Sequence, residues 1–430
     1  MNCNWPQVKL GDVVEITSSK RVKMADYVEK GVPFFRSKEV IERYKGNAIT
    51  TELYITEEHY QTIKDKFGAP EEGHILLTSV GTLGIPYQVQ ANDKFYFKDG
   101  NLTWFKEFGD AIDAEFLFYW LTSPIAKRKF DEITIGSTQK ALTIVALKGI
   151  EIDLPPKTIQ KQVVKIVKSL DRKLSNNRGV NQTLEQMAQA IFKSWFVDFD
   201  PVKAKMNGEQ PEGMDAATAS LFPEKLDSET GLPEGWKLSE IGDEVTVVGG
   251  GTPSKKNDDF WVDGHIHWTS PKDLSGVQDK VLLDTASKVT EAGLKKISSG
   301  LLPVDTVLLS SRAPVGYLAL AKVSMAINQG YIAMKCEKQL PPEFVIQWCV
   351  HRMDEIKQRA SGSTFAEISK KSFKPISVVV PSEDTLNAYQ KIVKPLYDAI
   401  TSNARQNEQL SSLRDTLLPK LLSGELSISD

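Results

Sequence analysis

The sequence predicts an α+β fold. Two α/β domains are held apart by two long helices that form an antiparallel coiled coil, and an internal pseudo-two-fold repeat relates the halves. The repeat is the first observation. The segment Gly136-Ser137-Thr138, which leads to Pro155, recurs as Gly362-Ser363-Thr364, which leads to Pro381, at a separation of 226 residues (362 minus 136). A repeat this long indicates one structural unit present twice, and closed two-fold symmetry is the commonest packing of two like units.

The first part of each repeat is a mixed segment of short apolar runs punctuated by Gly, Pro and Ser. Runs such as Val304–Leu309 and Tyr317–Lys322 are typical of strands, whereas Pro342–Lys357 is typical of a helix. The sequence therefore predicts one α/β domain over residues 1–157 and a second over residues 236–383.

The second part of each repeat is a long helix, predicted over residues 158–199 and 384–430. Residues 158–196 contain no proline, and their apolar residues recur in steps of three and four, which is the seam of a coiled coil. These 39 residues would span about 58 Å at 1.5 Å each. The predicted seam positions are Val163, Ile166, Leu170, Leu174, Leu184, Ala188, Ile191 and Trp195, then Ile392, Leu396, Ile400, Leu410, Leu417 and Leu421.

Residues 200–235, between the two copies, are rich in proline and glycine and are predicted to be a linker. Antiparallel helices would place the end of the first helix beside the start of the second, where the second domain must lie, so a short linker suffices. Parallel helices would force the linker back along the whole coiled coil. We therefore predict antiparallel pairing.

Four asparagines interrupt the predicted seam. Buried amides cost stability but disfavour slipped registers, because a slip leaves them facing apolar residues. They are predicted to fix the register of the coiled coil, and the alternative is that they lie on a solvated edge. They are Asn177, Asn181, Asn403 and Asn407.

Composition limits the class of protein. A chain of 430 residues is too long for one ordinary core, and 41% hydrophobic with 25% charged residues is typical of globular proteins. No apolar run approaches the roughly 18 residues that span a bilayer, so no membrane partner is expected. Three scattered cysteines favour a reducing compartment, and we expect a cytoplasmic protein. The net charge of −3 does not favour nucleic-acid binding, although a local basic face would be sufficient.

Basic residues occur at matching places in the two copies, and neighbouring Ser, Thr and Gly suit contacts with phosphate oxygens. Arg312 offers a planar fork that can read a guanine edge. Plain surface is the alternative interpretation, and the Gly-Ser-Thr segments could equally be helix caps. The predicted DNA-binding residues are Lys20, Arg21, Lys38, Ser79, Thr82, Ser137, Thr138 and Lys140, and then Lys255, Lys256, Lys272, Ser311, Arg312, Ser363 and Thr364.

Catalytic signals are absent from the sequence. The loop Gly249–Lys256 lacks the glycine before the lysine, and the Ser or Thr after it, that a phosphate-binding loop requires. His265 and His267 have no cysteine or carboxylate at ligand spacing, so no metal site is predicted. The histidines form no repeated set with Ser or Cys partners. We therefore predict no catalytic residue and no bound metal.

Seven further motifs occur in a fixed order within the duplicated frame. They are Phe192–Lys205, Leu232–Trp236, Gly250–Ser254, Ser270–Asp273, Ser311–Tyr317, Asn328–Gly330 and Leu418–Leu426. With them the chain resembles, over essentially its whole length, the specificity (DNA-recognition) subunits of type I restriction–modification enzymes. The first domain departs from the pattern, because Ile16–Lys20 replaces Gly250–Ser254 and Ser79-Val80-Gly81-Thr82 replaces Ser311-Arg312-Ala313-Pro314. The two domains should therefore read different bases.

The resemblance implies that each α/β domain is a target-recognition domain for one half of a bipartite, asymmetric sequence in double-stranded DNA. The two long helices would be the conserved regions of the family, setting the spacing and docking two methyltransferase subunits. Those subunits would methylate adenine N6 with S-adenosylmethionine, and two restriction/translocase subunits would use ATP and Mg²⁺. No cofactor is expected on this chain. We expect the methyltransferase interface at Trp195, Phe196, Phe199, Leu421 and Leu422.

Two other functions are compatible with parts of the sequence. A coiled-coil scaffold would bridge partners without selecting a DNA sequence. A nucleotidase would use the loop Gly249–Lys256, and replacing Lys255 and Lys256 with alanine would then abolish its activity.

Overall fold

The computed structural model describes residues 5–46, 49, 51–136, 140–362 and 366–426. The chain divides into two compact units. The first comprises Met1–Lys173 with Leu410–Asp430, and the second comprises Leu174–Gln409. In the described part of the chain, no helix is both long enough and apolar enough to cross a membrane.

Three sheets are built from the described strands of the first unit. One pairs β1 with β10 antiparallel, a second has the order β2-β9-β6-β7, and the third has the order β3-β5-β4-β8, in which β4 and β8 run parallel. The strands are β1 Gln7–Lys9, β2 Val14–Thr17, β3 Tyr27–Val28, β4 Val32–Phe35, β5 Tyr54–Ile55, β6 Ile75–Thr78, β7 Pro86–Gln88, β8 Tyr96–Phe97, β9 Leu102–Phe108 and β10 Glu151–Asp153.

The helices of the first unit cover these sheets. The side chain of Asp113 accepts hydrogen bonds from the backbone N–H groups of Glu115 and Phe116, so it caps the helix that buries Phe116 and Trp120 in the core. The helices are α1 Leu10–Val13, α2 Ser37–Tyr44, α3 Glu57–Phe67, α4 Ala114–Thr122, α5 Pro124–Ile133 and α6 Ile144–Lys148, with a 3₁₀ turn at Met24–Asp26. The long helix α7, Lys157–Phe196, begins in the first unit and continues into the second from Leu174.

The second unit repeats this arrangement. Its largest sheet has the order β12-β19-β16-β17-β14, which contains the counterpart of β2-β9-β6-β7. Another pairs β11 with β20, and a third has the order β15-β13-β18 with β13 and β18 parallel. The strands are β11 Lys237–Glu240, β12 Thr246–Val248, β13 Ile266–Thr269, β14 Val281–Leu282, β15 Ser287–Val289, β16 Val307–Ser310, β17 Leu318–Ala321, β18 Met325–Ile327, β19 Tyr331–Lys335 and β20 Ser377–Val380.

The second unit differs from the sequence predictions at two places. The helix expected over 342–357 is interrupted at Arg352, whose φ of −91° and ψ of 9° are not helical. The segment expected to be a linker contains two helices and buries Val202 and Phe222 in the core. The helices are α8 Asp200–Met206, α9 Ala216–Ser220, α10 Ile241–Glu244, α11 Pro271–Leu274, α12 Glu291–Leu294, α13 Pro342–His351, α14 Met353–Gln358, α15 Lys370–Phe373 and α16 Glu383–Leu422, with a 3₁₀ turn at Asp258–Phe260.

The long helices α7 and α16 pair antiparallel within each unit. In the second unit Asn177 lies beside Asn407, whereas Asn181 lies beside Asn403, so numbers rise along one helix as they fall along the other. In the first unit Asp171 pairs with Arg414 in the same sense. The predictions of an α+β fold, an internal repeat and an antiparallel helix pair are therefore confirmed.

One seam position was wrong. Ile392 is 39% exposed, and its neighbour Val393 is fully buried. In this part of α16 the buried residues Val393, Tyr397, Ile400, Ala404 and Asn407 follow steps of four, three, four and three, and Thr401 is buried beside Ile400. Both Ile392 and Val393 are compatible with the apolar pattern of the sequence. Only the structure shows which of the two side chains faces the partner helix.

Candidate nucleic-acid interface

Five loops of the second unit meet at one edge of its sheets. Three follow the carboxyl ends of strands: Gly249–Lys256 after β12, Ser270–Asp273 after β13 and Ser311–Gly316 after β16. The remaining two are Asn328–Gly330, between β18 and β19, and the described residues 361–362 and 366–370, which precede and enter α15. Because β12, β16 and β19 belong to one sheet and β13 and β18 to its neighbour, the loops of both sheets converge here.

Backbone hydrogen bonds tie these loops together. The N–H of Ser311 donates to the carbonyl of Gly330 at 2.8 Å, and the N–H of Ile368 donates to the carbonyl of Ser311 at 3.0 Å. The N–H of Gly251 donates to the carbonyl of Ile327 at 2.9 Å. We call this group of five loops the second loop edge. These backbone bonds fix the positions of the loops relative to one another.

The glycine-rich loop lies directly against the loop after β18. A Cβ atom on Gly250 would lie 1.8 Å from the carbonyl oxygen of Ile327, so only glycine fits. The indole N–H of Trp268 donates to the carbonyl of Gly251 at 3.1 Å, and the hydroxyl of Thr252 donates to the side-chain carbonyl of Gln329 at 2.6 Å. These contacts position a loop that ends in two exposed lysines, at 255 and 256.

The turn Ser311–Gly316 carries the arginine of this edge. The hydroxyl of Ser310 accepts from the N–H of Tyr317 at 2.8 Å, and the N–H of Gly316 donates to the carbonyl of Ser310 at 3.1 Å, which closes the turn. The guanidinium of Arg312 is 37% exposed and lies 3.6 Å from the carboxylate of Glu367. It therefore projects from a closed turn and is held by one half-exposed carboxylate.

The first unit has the same construction. The hydroxyl of Thr78 accepts from the N–H of Ile85 at 2.9 Å, and the N–H of Gly84 donates to the carbonyl of Thr78 at 2.8 Å. The N–H of Ser79 donates to the carbonyl of Asn101 at 2.8 Å, and that of Leu142 donates to the carbonyl of Ser79 at 2.9 Å. We call the loops at 18–23, 36–38, 79–84 and 98–101, together with the described residues 135–136 and 140–142, the first loop edge.

Lys38 and Lys272 occupy equivalent positions, at the start of α2 and α11. Each exposed lysine precedes a carboxylate that accepts a backbone N–H at the N-terminus of its helix: Glu39 from Arg36 at 2.8 Å, and Asp273 from Ser270 at 2.7 Å. Because these acids are engaged within the turn, the lysine is the charge that the helix start presents to solvent.

The structure brings most of the predicted DNA-binding residues to these two edges. Lys20, whose ammonium lies 4.9 Å from the centroid of the Phe67 ring, is exposed. So are Arg21, Lys38, Thr82, Lys140, Lys255, Lys256 and Lys272. Ser137, Thr138, Ser363 and Thr364 lie outside the described residues.

Ser79 and Ser311 differ from the other predicted contacts. Each is only 3% exposed, and the hydroxyl of Ser79 shares a 2.7 Å hydrogen bond with that of Thr103. Burial argues against the direct DNA contacts predicted for them. Their backbones instead join neighbouring loops, which is a positioning role.

Sequence reasoning missed two residues of the second loop edge. Lys370 is exposed, and its ammonium lies 3.2 Å from where a Cβ on Gly249 would be. Glu367 holds Arg312. The repeat partners of these residues are Ile144 and Ala141, so a search for charges matched between the copies could not find them. A search of charges within the second copy alone would have included both.

Charge and hydrogen bonding at the second loop edge favour an anionic ligand. Asp273 accepts from Ser270 and Ala286, so its carboxylate is already engaged. Burial raises the pKa of Tyr331, and its neutral hydroxyl donates to the carbonyl of Ser270 at 2.7 Å. The exposed cations Lys255, Lys256, Lys272 and Lys370 remain. Within the described ranges, no group of three or more His, Cys, Asp or Glu side chains could hold a metal ion.

The five residues predicted to contact methyltransferase subunits lie mostly in the core. The ring of Phe196 is 4.9 Å from that of Phe344 and 5.0 Å from that of Tyr389, and Phe199 is half-buried 5.8 Å from Trp236. Trp195, Phe196, Leu421 and Leu422 are at most 5% exposed. A partner could not touch these four side chains without displacing them, so any docking surface must use their exposed neighbours.

The four asparagines form a ladder between α7 and α16. The amide of Asn177 donates to Asn407 at 3.0 Å, and the amide of Asn403 donates to Asn181 at 2.8 Å. Asn177, Asn181 and Asn407 are buried, and Asn403 is half-buried. Asn177 therefore contacts the repeat counterpart of Asn181, and Asn181 contacts the repeat counterpart of Asn177. A local two-fold axis between the helices requires this pairing. Their role in fixing the register stays a prediction.

The family of the chain follows from its sequence. Residues 2–186 and 233–412 match the type I restriction modification DNA specificity domain, one copy in each half, so the chain belongs to that family of specificity subunits. The match covers most of the 430 residues.

Individual relatives agree with this assignment. The chain is 28% identical over 357 residues to the type I restriction enzyme HindI specificity subunit of Haemophilus influenzae, covering 73% of this chain and 77% of that protein. It is 24% identical over 437 residues to the MjaIX specificity subunit of Methanocaldococcus jannaschii, covering 99% and 94%. Its fold is similar to the crystal structure of the S subunit of a type I restriction–modification system from M. genitalium, with a TM-score of 0.57, 17% identity and coverage of 100% and 98%.

Proposed function

We propose that this chain is the DNA-reading subunit of a type I restriction–modification system, in which each loop edge reads one half of a bipartite, asymmetric sequence in double-stranded DNA. One observation carries the proposal. The two edges share their backbone hydrogen bonds but not the side chains of one half-buried pair: Val80 pairs with Ala141 in the first, where Arg312 pairs with Glu367 in the second. A shared scaffold with different side chains is what two unlike sequence readers require.

The cations of the edges suit the DNA backbone. Exposed lysines can neutralise phosphates without reading sequence, whereas an arginine can bind the O6 and N7 atoms of guanine in the major groove. Lys38 and Lys272 would orient the duplex in equivalent ways, and Arg312 would specify a base only in the second half-site. The recognised target would therefore be asymmetric.

The helices α7 and α16 would set the spacing between half-sites and dock two methyltransferase subunits. Suitable surface lies beside the buried aromatic cluster, where Lys193 and Met206 are exposed. The docked subunits would bind S-adenosylmethionine and methylate adenine at N6. Two restriction/translocase subunits, using ATP and Mg²⁺, would complete a cytoplasmic assembly in which this chain itself carries no catalytic group.

Mapping methylated adenines by sequencing tests the proposal in cells that express this chain with its modification subunit. A single bipartite motif is expected. Exchanging residues 236–383 for those of a relative should change one half of the motif and leave the other unchanged. A change in both halves would contradict the two-reader proposal. Methylation or binding without sequence preference would favour the scaffold alternative.

A further inference from the structure

A polar junction joins α13 of the second recognition domain to both long helices. Gln347 on α13 is 1% exposed, and its amide donates to the hydroxyl of Tyr397 on α16 at 2.8 Å and to the carboxylate of Glu185 on α7 at 3.0 Å. One side chain of the domain therefore contacts both helices of the coiled coil. Most of the surrounding contact is apolar. Two longer hydrogen bonds also join α13 to α16, from Tyr389 to the carbonyl of Glu343 at 3.5 Å and from Gln390 to its carboxylate at 3.4 Å, but only the Gln347 bonds reach both long helices.

Glu185 has a second partner from the same domain. The oxygen that accepts from Gln347 also lies 2.7 Å from the ammonium of Lys280, which immediately precedes β14. The Glu185 side chain is only 15% exposed. Burial and then the Glu185 charge raise the pKa of Tyr397, whose hydroxyl stays protonated. A largely buried carboxylate with two donors from separate parts of one domain constrains the angle of that domain, because rotation breaks both bonds.

The first unit has a counterpart with different chemistry. Tyr119 on α4 answers Gln347, and Asp171 on α7 answers Tyr397 at the repeat separation of 226 residues (397 minus 171). Burial and the Asp171 carboxylate raise the pKa of Tyr119. Asp171 also lies 3.0 Å from the guanidinium of Arg414 on α16. In each unit, a residue of the domain helix and a residue of its own long helix meet a charged residue from the other long helix.

The two charged residues have opposite signs. Arg414 in the first junction neutralises Asp171, and Glu185 in the second neutralises Lys280. Exchanging them would place a carboxylate beside Asp171 and a guanidinium beside Lys280. Like charges that share a poorly solvated site are strongly unfavourable. Each domain is thus matched to its own segment of the coiled coil.

We propose that Glu185 is a positioning residue that holds the second recognition domain at one angle on its segment of the coiled coil, and that it thereby makes DNA binding depend on the number of base pairs between the half-sites. This inference rests on the proposed function. One added base pair displaces a half-site by about 3.4 Å and rotates it by roughly 34°, because B-DNA has about 10.5 base pairs per turn. A rigid junction resists that rotation, and a loosened one tolerates it.

Binding measurements on the full-length chain with its modification subunit test this proposal. The probes are duplexes that carry the mapped motif with the native spacer, one base pair more or one base pair fewer. The variants are Glu185→Ala and Glu185→Gln, which keeps the shape of the side chain and can still pair with Gln347. The control is Glu408→Ala, which removes an exposed carboxylate from the facing helix.

The wild-type complex and Glu408→Ala should lose roughly tenfold or more in affinity when the spacer changes, a penalty similar to that of one mismatched base pair. Glu185→Ala should lose less than about threefold, and Glu185→Gln should be intermediate, because one of two directional bonds survives. In both Glu185 variants, a mismatch within either half-site should cost as much as in the wild type.

Two results would overturn the inference. In one, Glu185→Ala keeps the wild-type spacer penalty. In the other, it weakens discrimination of spacers and of half-site mismatches alike, as a partly unfolded domain would. If Glu185→Ala does not fold, the same comparison rests on Glu185→Gln. A wild-type complex that ignores half-site mismatches would instead reject the proposed function, so the two failures can be told apart.

Discussion

The two loop edges share a backbone and differ in chemistry. In both, a hydroxyl at the end of a central strand (Thr78 or Ser310) accepts the N–H that closes the following turn, and a buried serine joins that turn to its neighbours. The pair that faces across the edge is half-buried in both: it is Val80 with Ala141 in the first edge and Arg312 with Glu367 in the second. Because backbone groups and these buried hydroxyls hold the turn, the facing pair can differ between the edges without loss of the fold.

The cores of the two units also differ in their side chains at equivalent positions. Phe344 and Phe116 are equivalent aromatic residues, but the second unit surrounds its phenylalanine with Phe196 and Tyr389. The first unit has Leu422 and Val163 at those positions, also buried in its core. Equivalent positions of the repeat are buried in both units, but their side chains differ in volume. The two cores are therefore packed differently.

The largest expected effect separates these two cores. Phe196→Ala should destabilise the second unit by about 3–5 kcal/mol, whereas Leu422→Ala should cost the first unit about 2–3 kcal/mol, because a smaller cavity remains. Calorimetric unfolding of the full chain measures both, and Met206→Ala, at an exposed position, is the control. Equal losses would show that Leu422 contributes as much to the stability of the first core as Phe196 does to that of the second.

A second effect tests whether the edges read differently. Arg312→Ala should lower discrimination at one base pair of the second half-site by about 1–3 kcal/mol, since a bidentate guanine contact is lost. The matched change in the first edge, Val80→Ala, should leave discrimination unaltered. Competition binding with single-base variants of the mapped motif measures both. A uniform loss across all sequences would make Arg312 a phosphate contact instead.

A smaller effect tests what the edges share. Lys38→Ala and Lys272→Ala should each reduce the slope of log affinity against log salt by about 0.9, because each removes one phosphate contact. Neither change should alter base preference. Titrations at several salt concentrations measure the slopes. If one lysine changes the slope and the other does not, the two half-sites are not held equivalently.

The smallest effect concerns two equivalent glutamates. Glu115 pairs with Lys168, whereas Glu343 is 2% exposed and burial raises its pKa. A raised pKa in the folded state means that ionised Glu343 is destabilising, so wild-type stability falls as pH rises above the usual carboxyl range of about 4.3. Glu343→Gln should therefore gain melting temperature over the wild type at neutral pH and lose that gain in acid. Glu115→Gln should show no such gain, because the Glu115 carboxylate is 39% exposed and is paired with Lys168.

Much of the fold could be predicted because it follows from periodicity. The repeat and the two long helices depend on spacing along the chain, and the antiparallel pairing was predicted from the short linker between the copies. Ile392 shows where this reasoning fails: it and Val393 are both apolar, and which of them faces the core depends on the partner helix. Arg352, at which the expected helix of residues 342–357 is interrupted, has a side chain compatible with continuing the helix.

The candidate site was predicted in part. Exposed lysines were found because they recur in both copies, whereas Lys370 and Glu367 were missed because their counterparts are Ile144 and Ala141. Ser79 and Ser311 were chosen for their hydroxyl groups, but both lie inside the loop edge. The aromatic residues after Phe192 were expected at a partner interface, but Trp195 packs against Phe222 and Phe196 packs against Phe344 and Tyr389.

The sequence by itself determined the duplication, the helical periods and the family, because these depend on the order and spacing of residue types. Tertiary structure alone decided which side chains reach solvent at the two loop edges and which carboxylate meets Lys280. Those properties depend on distances between residues far apart in the chain, such as Glu185 and Gln347. The spacing of residues along α7 predicts which of them share a face of that helix. It does not predict which residues of α13 or α16 lie against that face.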